Sequence, residues 1–174
     1  MATYIEKELH FTFPDELEWN EHDAEGLKLP QGMKCVDVVI ELEDEYIFVE
    51  IKDPSDSQTP GLAQRKYLTK LRTNEILFQE LTPKARCSYT RLHLMELDNK
   101  PIRYVVVLGL DAFDSDLQKS LLGNFADRLF GSLYNEMDVP WKRSFISECV
   151  VLSVDGWNER YSDWPIERIK KKDD

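Results

Sequence analysis

Two hydrophobic runs with three consecutive acids between them constrain the fold of this chain more than any other feature. The first run, 36–42, is rich in β-branched residues, and the second, 46–52, is apolar at almost every position, so both predict β-strands. The acids between them predict the turn of a hairpin. Because side chains alternate along a strand, Glu50 and Lys52 share one face of the second strand.

The charged residues of this hairpin predict a functional site. A carboxylate and an ammonium at the end of an apolar strand are expensive to bury, and Asp37 at the start of the neighbouring strand can reach the same point. Two acids and a lysine that converge at a sheet edge suit a divalent metal ion and a phosphodiester. The alternative is an exposed edge strand, on which Glu50 and Lys52 form a surface pair worth ~0–1 kcal/mol.

The spacing of these residues resembles a known family. Asp37, twelve further residues and then Glu50-Ile51-Lys52 resemble the D…(D/E)-x-K signature of the PD-(D/E)XK nuclease superfamily, although Val36 stands where the signature has proline. The spacing is similar to that of archaeal Holliday-junction resolvases and small phage-type nucleases. The resemblance implies a restriction-endonuclease-like α/β fold, with a mixed β-sheet flanked by helices. It also implies Mg²⁺-dependent hydrolysis of phosphodiester bonds, of DNA rather than RNA.

The resemblance also implies a role for each residue of the signature. Asp37 and Glu50 would bind one or two Mg²⁺ ions, for which Mn²⁺ can substitute, with the Ile51 backbone carbonyl as a further ligand. Lys52 would position or deprotonate the attacking water, or stabilise the pentacovalent phosphate. Without a cation, the carboxylates would repel one another.

The N-terminal residues predict two strands that lead toward this site. Residues 8–13 alternate between apolar and polar side chains, and residues 17–23 alternate again as a return strand. The helix that usually precedes the Asp strand in the superfamily is not evident here. Any further acid at the metal site would therefore come from Glu21 or Asp23.

A loop and a helix follow the hairpin. Residues 53–61 contain two prolines, two serines and two aspartates, which predicts a mobile loop beside the site, where substrate could enter. A helix is predicted from Leu62, and Pro83 would break or restart it.

The predicted helix carries the residues expected to bind substrate. Arg65, Lys66 and Lys70 could line a track for phosphates. Gln64 and Tyr67 resemble the Gln-x-x-x-Tyr pair of some phage-type and recombination exonucleases, with one residue fewer between them, and Gln64 could order a water or a phosphate. The alternative is a solvated helix face.

The remaining sequence predicts one domain, 1–169, and a charged tail, 170–174. The strand at 102–110 is apolar on both faces, which is typical of the centre of a covered sheet. The other predicted elements are a helix from Asp114 or Ser115 to about residue 134, a strand at 145–154 and an aromatic segment at 157–169 that packs back on the sheet.

The charge of the chain bears on its partners. The net charge of −11 argues against nucleic acid, yet residues 1–56 carry sixteen acids and four bases, whereas residues 62–104 carry nine bases and four acids. The basic block follows the predicted site directly. The rival interpretation is a non-catalytic domain of the same fold that binds a protein through its acidic face.

The remaining composition bears on membrane association and on the cellular compartment of the protein. No stretch approaches the ~20 consecutive apolar residues of a membrane span, so no membrane partner is expected. Three widely spaced cysteines without a C-x-x-C pair favour a reduced cytoplasm. A homodimer is left open.

Overall fold

Two β-sheets and a set of helices form the fold, in a computed structural model that describes residues 1–24, 27–134 and 141–170. The strands are β1 (Ala2–Glu6), β2 (Leu9–Phe13), β3 (Glu18–Glu21), β4 (Val38–Glu41), β5 (Tyr46–Lys52), β6 (Ile102–Leu108), β7 (Glu148–Ser153) and β8 (Ile166–Arg168). The helices are α1 (Gly61–Arg72), α2 (Thr82–Leu94), α3 (Ser115–Leu122), α4 (Phe125–Tyr134) and α5 (Val154–Arg160). A π-helical segment (Leu77–Leu81) leads directly into α2.

The larger sheet is mixed, as predicted. Its strand order is β3-β4-β5-β6-β7, in which β3, β4 and β5 are antiparallel and β5, β6 and β7 are parallel. The predicted hairpin is confirmed as β4 and β5, with Val38 opposite Val49. The strand at the centre of a covered sheet is also confirmed, because β6 lies between β5 and β7 and is buried at almost every position.

Each face of this sheet is covered by a different layer. The helices α1 to α4 pack on one face, where they meet Tyr46 and Phe48 of β5. The second sheet and α5 cover the other face, where Ile47, Val49 and Ile51 are buried. The predicted alternation along β5 is therefore confirmed, and it places Glu50 and Lys52 on the face that the helices cover.

The second sheet differs from the predicted N-terminal hairpin. The strand at 9–13 is confirmed, but its partners are β1 and β8. The predicted return strand pairs with β4 instead, and Glu21 lies opposite Val38. The sequence did not reveal β1, because this edge strand is half exposed and carries polar residues among its apolar ones.

The helices also depart from the prediction at their ends. The first helix ends at Arg72, where Asn74 adopts a positive φ of 63°, instead of continuing to Pro83. Pro83 has no N–H to donate within a helix. The helix is nevertheless continuous at this residue, because the π-helical segment leads directly into α2. The single helix expected at 115–134 is two helices, although Asp114 caps α3 as predicted by accepting from the Leu117 N–H.

The C-terminal residues pack back on the sheet, as predicted. Trp157 is fully buried against the second sheet, and β8 pairs with β2. Of the predicted tail, Lys170 is exposed and residues 171–174 lie outside the described part. Within the described ranges no helix is both long and apolar enough to cross a membrane.

Candidate active site

The hairpin brings Asp37 and Glu50 together. Asp37 directly precedes β4, and Glu50 lies in β5 beside it, because the two strands are antiparallel. Asp37 Oδ2 accepts a hydrogen bond of 2.6 Å from the Ile51 N–H. Asp37 is 8% exposed and Glu50 is fully buried. Two carboxylates therefore lie inside the protein at the meeting point of the sheet and the helices.

A third residue, Lys84, lies between these carboxylates. Its Nζ is 3.0 Å from Asp37 Oδ1, 2.9 Å from Glu50 Oε1 and 3.2 Å from Asp23 Oδ2. Lys84 was not predicted from the sequence, although one signal was present. Lys84 shares a helical stripe with Ser88 and Leu92, and a charged residue on a buried stripe needs a buried partner.

Lys52 extends the cluster toward the helices. Its Nζ lies 3.0 Å from Glu50 Oε1 and 3.0 Å from Glu80 Oε2, and Lys70 Nζ lies 3.4 Å from Glu80 Oε1. Glu80 belongs to the π-helical segment, an element that is frequent at functional sites. Glu80 was not predictable from the sequence, because no motif marks it.

The electrostatics of Glu50 are unusual. Burial, followed by the charge of Asp37, raises the pKa of Glu50 to about 7, although the Lys52 and Lys84 ammonium groups act in the opposite direction. Both ammonium groups lie at ion-pair distance, yet neither carboxylate oxygen has a well-directed hydrogen bond from any described residue. Burial lowers the pKa of Lys84, but Glu50 and Asp37 outweigh it and raise the pKa above its ordinary value.

The arrangement of oxygens fits a cation. The Lys84 ammonium already occupies such a position, since three carboxylate oxygens converge on it. Mg²⁺ is commonly held by one or two carboxylates together with waters. Among the described residues, no group of three or more acids, histidines or cysteines forms a ready metal centre. The binding of a metal ion by Asp37 and Glu50 stays a prediction.

Asp23 and Glu21, the two residues predicted as sources of a further acid, differ in their distance from the cluster. Asp23 lies just beyond β3 and reaches the cluster through Lys84. Glu21 is exposed on the edge strand, and it forms no ion pair within the described ranges. Ile51 joins the cluster through its N–H, and the role of its carbonyl stays a prediction.

The predicted substrate residues lie along α1. Arg65 and Lys66 are exposed, Gln64 is half-buried, and Lys70 pairs with Glu80. The Tyr67 hydroxyl is buried and has no hydrogen-bond partner in the part of the chain that the structure describes. Burial, together with nearby carboxylates such as Glu80, raises the Tyr67 pKa well above its ordinary value.

The loop after Lys52 is anchored, contrary to the prediction of a mobile entrance. Asp53, Ser55 and Asp56 are buried. Both carboxylate oxygens of Asp53 accept from the Arg168 guanidinium, at 2.9 and 2.8 Å, and Arg168 also pairs with Asp111. This network fixes the backbone at the end of β5, directly after Lys52.

A buried histidine near the site should make stability depend on pH. His22 is 7% exposed, and burial, followed by the charge of Arg91, lowers its pKa to about 4. The unfolded chain would bind a proton at pH ~6.5. The contribution of neutral His22 is therefore complete above pH ~6.5 and is lost as the pH falls through the folded pKa, to a total of about 3 kcal/mol.

We expect His22→Gln to flatten the acid side of the stability curve. Urea unfolding at several pH values between 7 and 4 measures it. The free energy of unfolding should fall less steeply in the variant than in the wild type, and parallel curves would contradict the prediction.

Comparisons with known proteins add no assignment. No family model matches the chain, and neither a curated protein nor a solved structure matches it.

Proposed function

We propose that this chain is a Mg²⁺-dependent nuclease of restriction-endonuclease-like fold that hydrolyses phosphodiester bonds of DNA. The observation that carries the proposal is the convergence of Asp37 and Glu50 on one cation position, with Lys52 bound to Glu50. The antiparallel β3-β4-β5 meander with β6 parallel to β5 supports it, since this sheet places the motif residues on one face.

The residues of the site would have different roles in the reaction. Asp37 and Glu50 would hold Mg²⁺, which supplies charge neutralisation at the phosphate and an activated water. Lys52 is held between Glu50 and Glu80, so its ammonium has a fixed direction beside the carboxylates. It would position the water or stabilise charge on the phosphate.

A cleavage assay tests the proposal. Wild type and Asp37→Asn are incubated with single-stranded, duplex and branched DNA, in Mg²⁺, in Mn²⁺ and in EDTA. Asparagine can still accept from the Ile51 N–H through its carbonyl oxygen, so the variant should fold. We expect metal-dependent cleavage by the wild type alone. Equal cleavage by both proteins, or none by either with all three substrates, would contradict the proposal.

The exposed bases of α1 should contribute to DNA binding. Arg65 and Lys66 are both exposed on this helix. If they contact phosphates, the double variant Arg65→Gln, Lys66→Gln should weaken binding to all sequences, and the slope of log affinity against log salt should become shallower by about 1 to 2. Fluorescence anisotropy in EDTA measures this slope.

The matched control removes two lysines elsewhere. Lys28 lies in a loop and Lys119 on α3, and both are exposed. Their double glutamine variant should keep the wild-type slope. An unchanged slope in the α1 variant would mean that this helix is only a solvated face.

Two observations favour a second function. The cation position is occupied by Lys84, and the chain carries a net charge of −11. A non-catalytic domain that binds a protein through its acidic face would need no metal. The cleavage assay separates the two functions, because this domain would cleave none of the substrates.

A further inference from the structure

The Lys84 ammonium and a divalent ion would require the same space. Nζ lies within 3.0 Å of one oxygen each of Asp37 and Glu50. A Mg²⁺ ion bonds its ligands at ~2.0–2.1 Å, so an ion between these two oxygens would overlap the ammonium. All three side chains are buried, so the ammonium and the two carboxylates share one enclosed site.

We infer that Lys84 is an internal counter-cation that a divalent metal ion must displace to reach Asp37 and Glu50. The inference rests on the proposed function and adds a control on metal affinity. Before the metal arrives, the ammonium neutralises carboxylates that would otherwise repel each other. Metal binding is therefore an exchange of one cation for another.

The Lys84 ammonium can leave the two buried carboxylates by moving toward solvent. Its third partner, Asp23, has a side chain that is 47% exposed, whereas the side chain of Glu50 is fully buried. Lysine has a flexible four-carbon stem, so the ammonium can swing toward Asp23 and solvent while the helix stays in place.

Metal binding by charge-deleted variants tests the inference. Mn²⁺ binding to wild type, Lys84→Met and Lys119→Met is measured by isothermal titration calorimetry. Methionine keeps an unbranched stem and removes the charge. We expect Lys84→Met to bind Mn²⁺ at least about tenfold more tightly than the wild type, equivalent to about 1.4 kcal/mol. Lys119→Met, an exposed change on α3, should match the wild type.

A measurement on the unmodified protein covers the case in which Lys84→Met does not fold. Acylation of lysines by an N-hydroxysuccinimide ester is followed by mass spectrometry with and without Mg²⁺. Displacement should increase the labelling of Lys84 several-fold, whereas labelling of exposed Lys28 should not change. Equal labelling of Lys84 in both conditions would overturn the inference.

The outcomes separate this inference from the proposed function. Wild-type cleavage with unchanged Mn²⁺ affinity in Lys84→Met would overturn the inference and leave the nuclease function standing. Tighter Mn²⁺ binding by Lys84→Met without cleavage by the wild type would support displacement and overturn the nuclease function. The absence of Mn²⁺ binding in both proteins would overturn both.

Discussion

Replacing Glu50 with glutamine is expected to reduce the rate of DNA cleavage by at least about a hundredfold, the lower range for the loss of a group that acts at the reacting centre. Glutamine has the same shape but no negative charge, so it would hold a metal ion poorly and would leave Lys52 without its buried partner. Single-turnover kinetics with saturating Mg²⁺ measure the chemical step.

The fold should survive this change. Glu50 is fully buried, and its raised pKa means that burial already disfavours its charged form. The matched control is Glu41→Gln on β4, which removes an ion pair with Lys100 and should cleave at the wild-type rate. Equal rates for Glu50→Gln and Glu41→Gln would mean that Glu50 has no role in the reaction.

The largest expected loss of stability comes from Gly109→Ala. A Cβ at this position would lie 2.2 Å from Asp53 Oδ1 and 3.0 Å from Arg168 Nη2. The short Asp53 side chain cannot retreat without breaking its two bonds to Arg168. Breaking a buried ion pair costs about 3–5 kcal/mol, which corresponds to a fall in Tm on the order of 10 °C or more.

Thermal unfolding of two alanine variants checks this prediction. Gly61→Ala is the matched control, since a Cβ there meets nothing within 4 Å and the residue begins α1. This change should be neutral or raise stability by up to ~1 kcal/mol. Equal melting temperatures for Gly61→Ala and Gly109→Ala would show that the Asp53–Arg168 network adjusts freely.

The hairpin was predictable from sequence because its pattern is local. The period of two along residues 46–52 identifies which face carries Glu50 and Lys52, and the structure has the same two faces. The pairing of β3 with β4 was not predictable, since alternation indicates a strand and its buried face but not its neighbour.

The rest of the cluster depends on packing between distant segments. Lys84 lies forty-seven residues after Asp37 and meets it only because α2 packs across the β4–β5 hairpin. The sequence predicted mutual repulsion of the site's acids in the absence of metal. The structure adds Lys84 as a second internal cation between Asp37 and Glu50.

The π-helical segment before α2 determines the directions in which the Glu80 and Lys84 side chains leave the helix. A π-turn contains about one residue more than an α-turn, and one residue corresponds to a rotation of about 100° around the helix axis. Glu80 lies in this turn and Lys84 just after it, so their directions toward Lys52 and Asp37 depend on the extra residue. A relative lacking one residue here could keep Asp37, Glu50 and Lys52 and yet present a different side chain to them. The number of residues between α1 and α2 therefore bears on this site in addition to the motif.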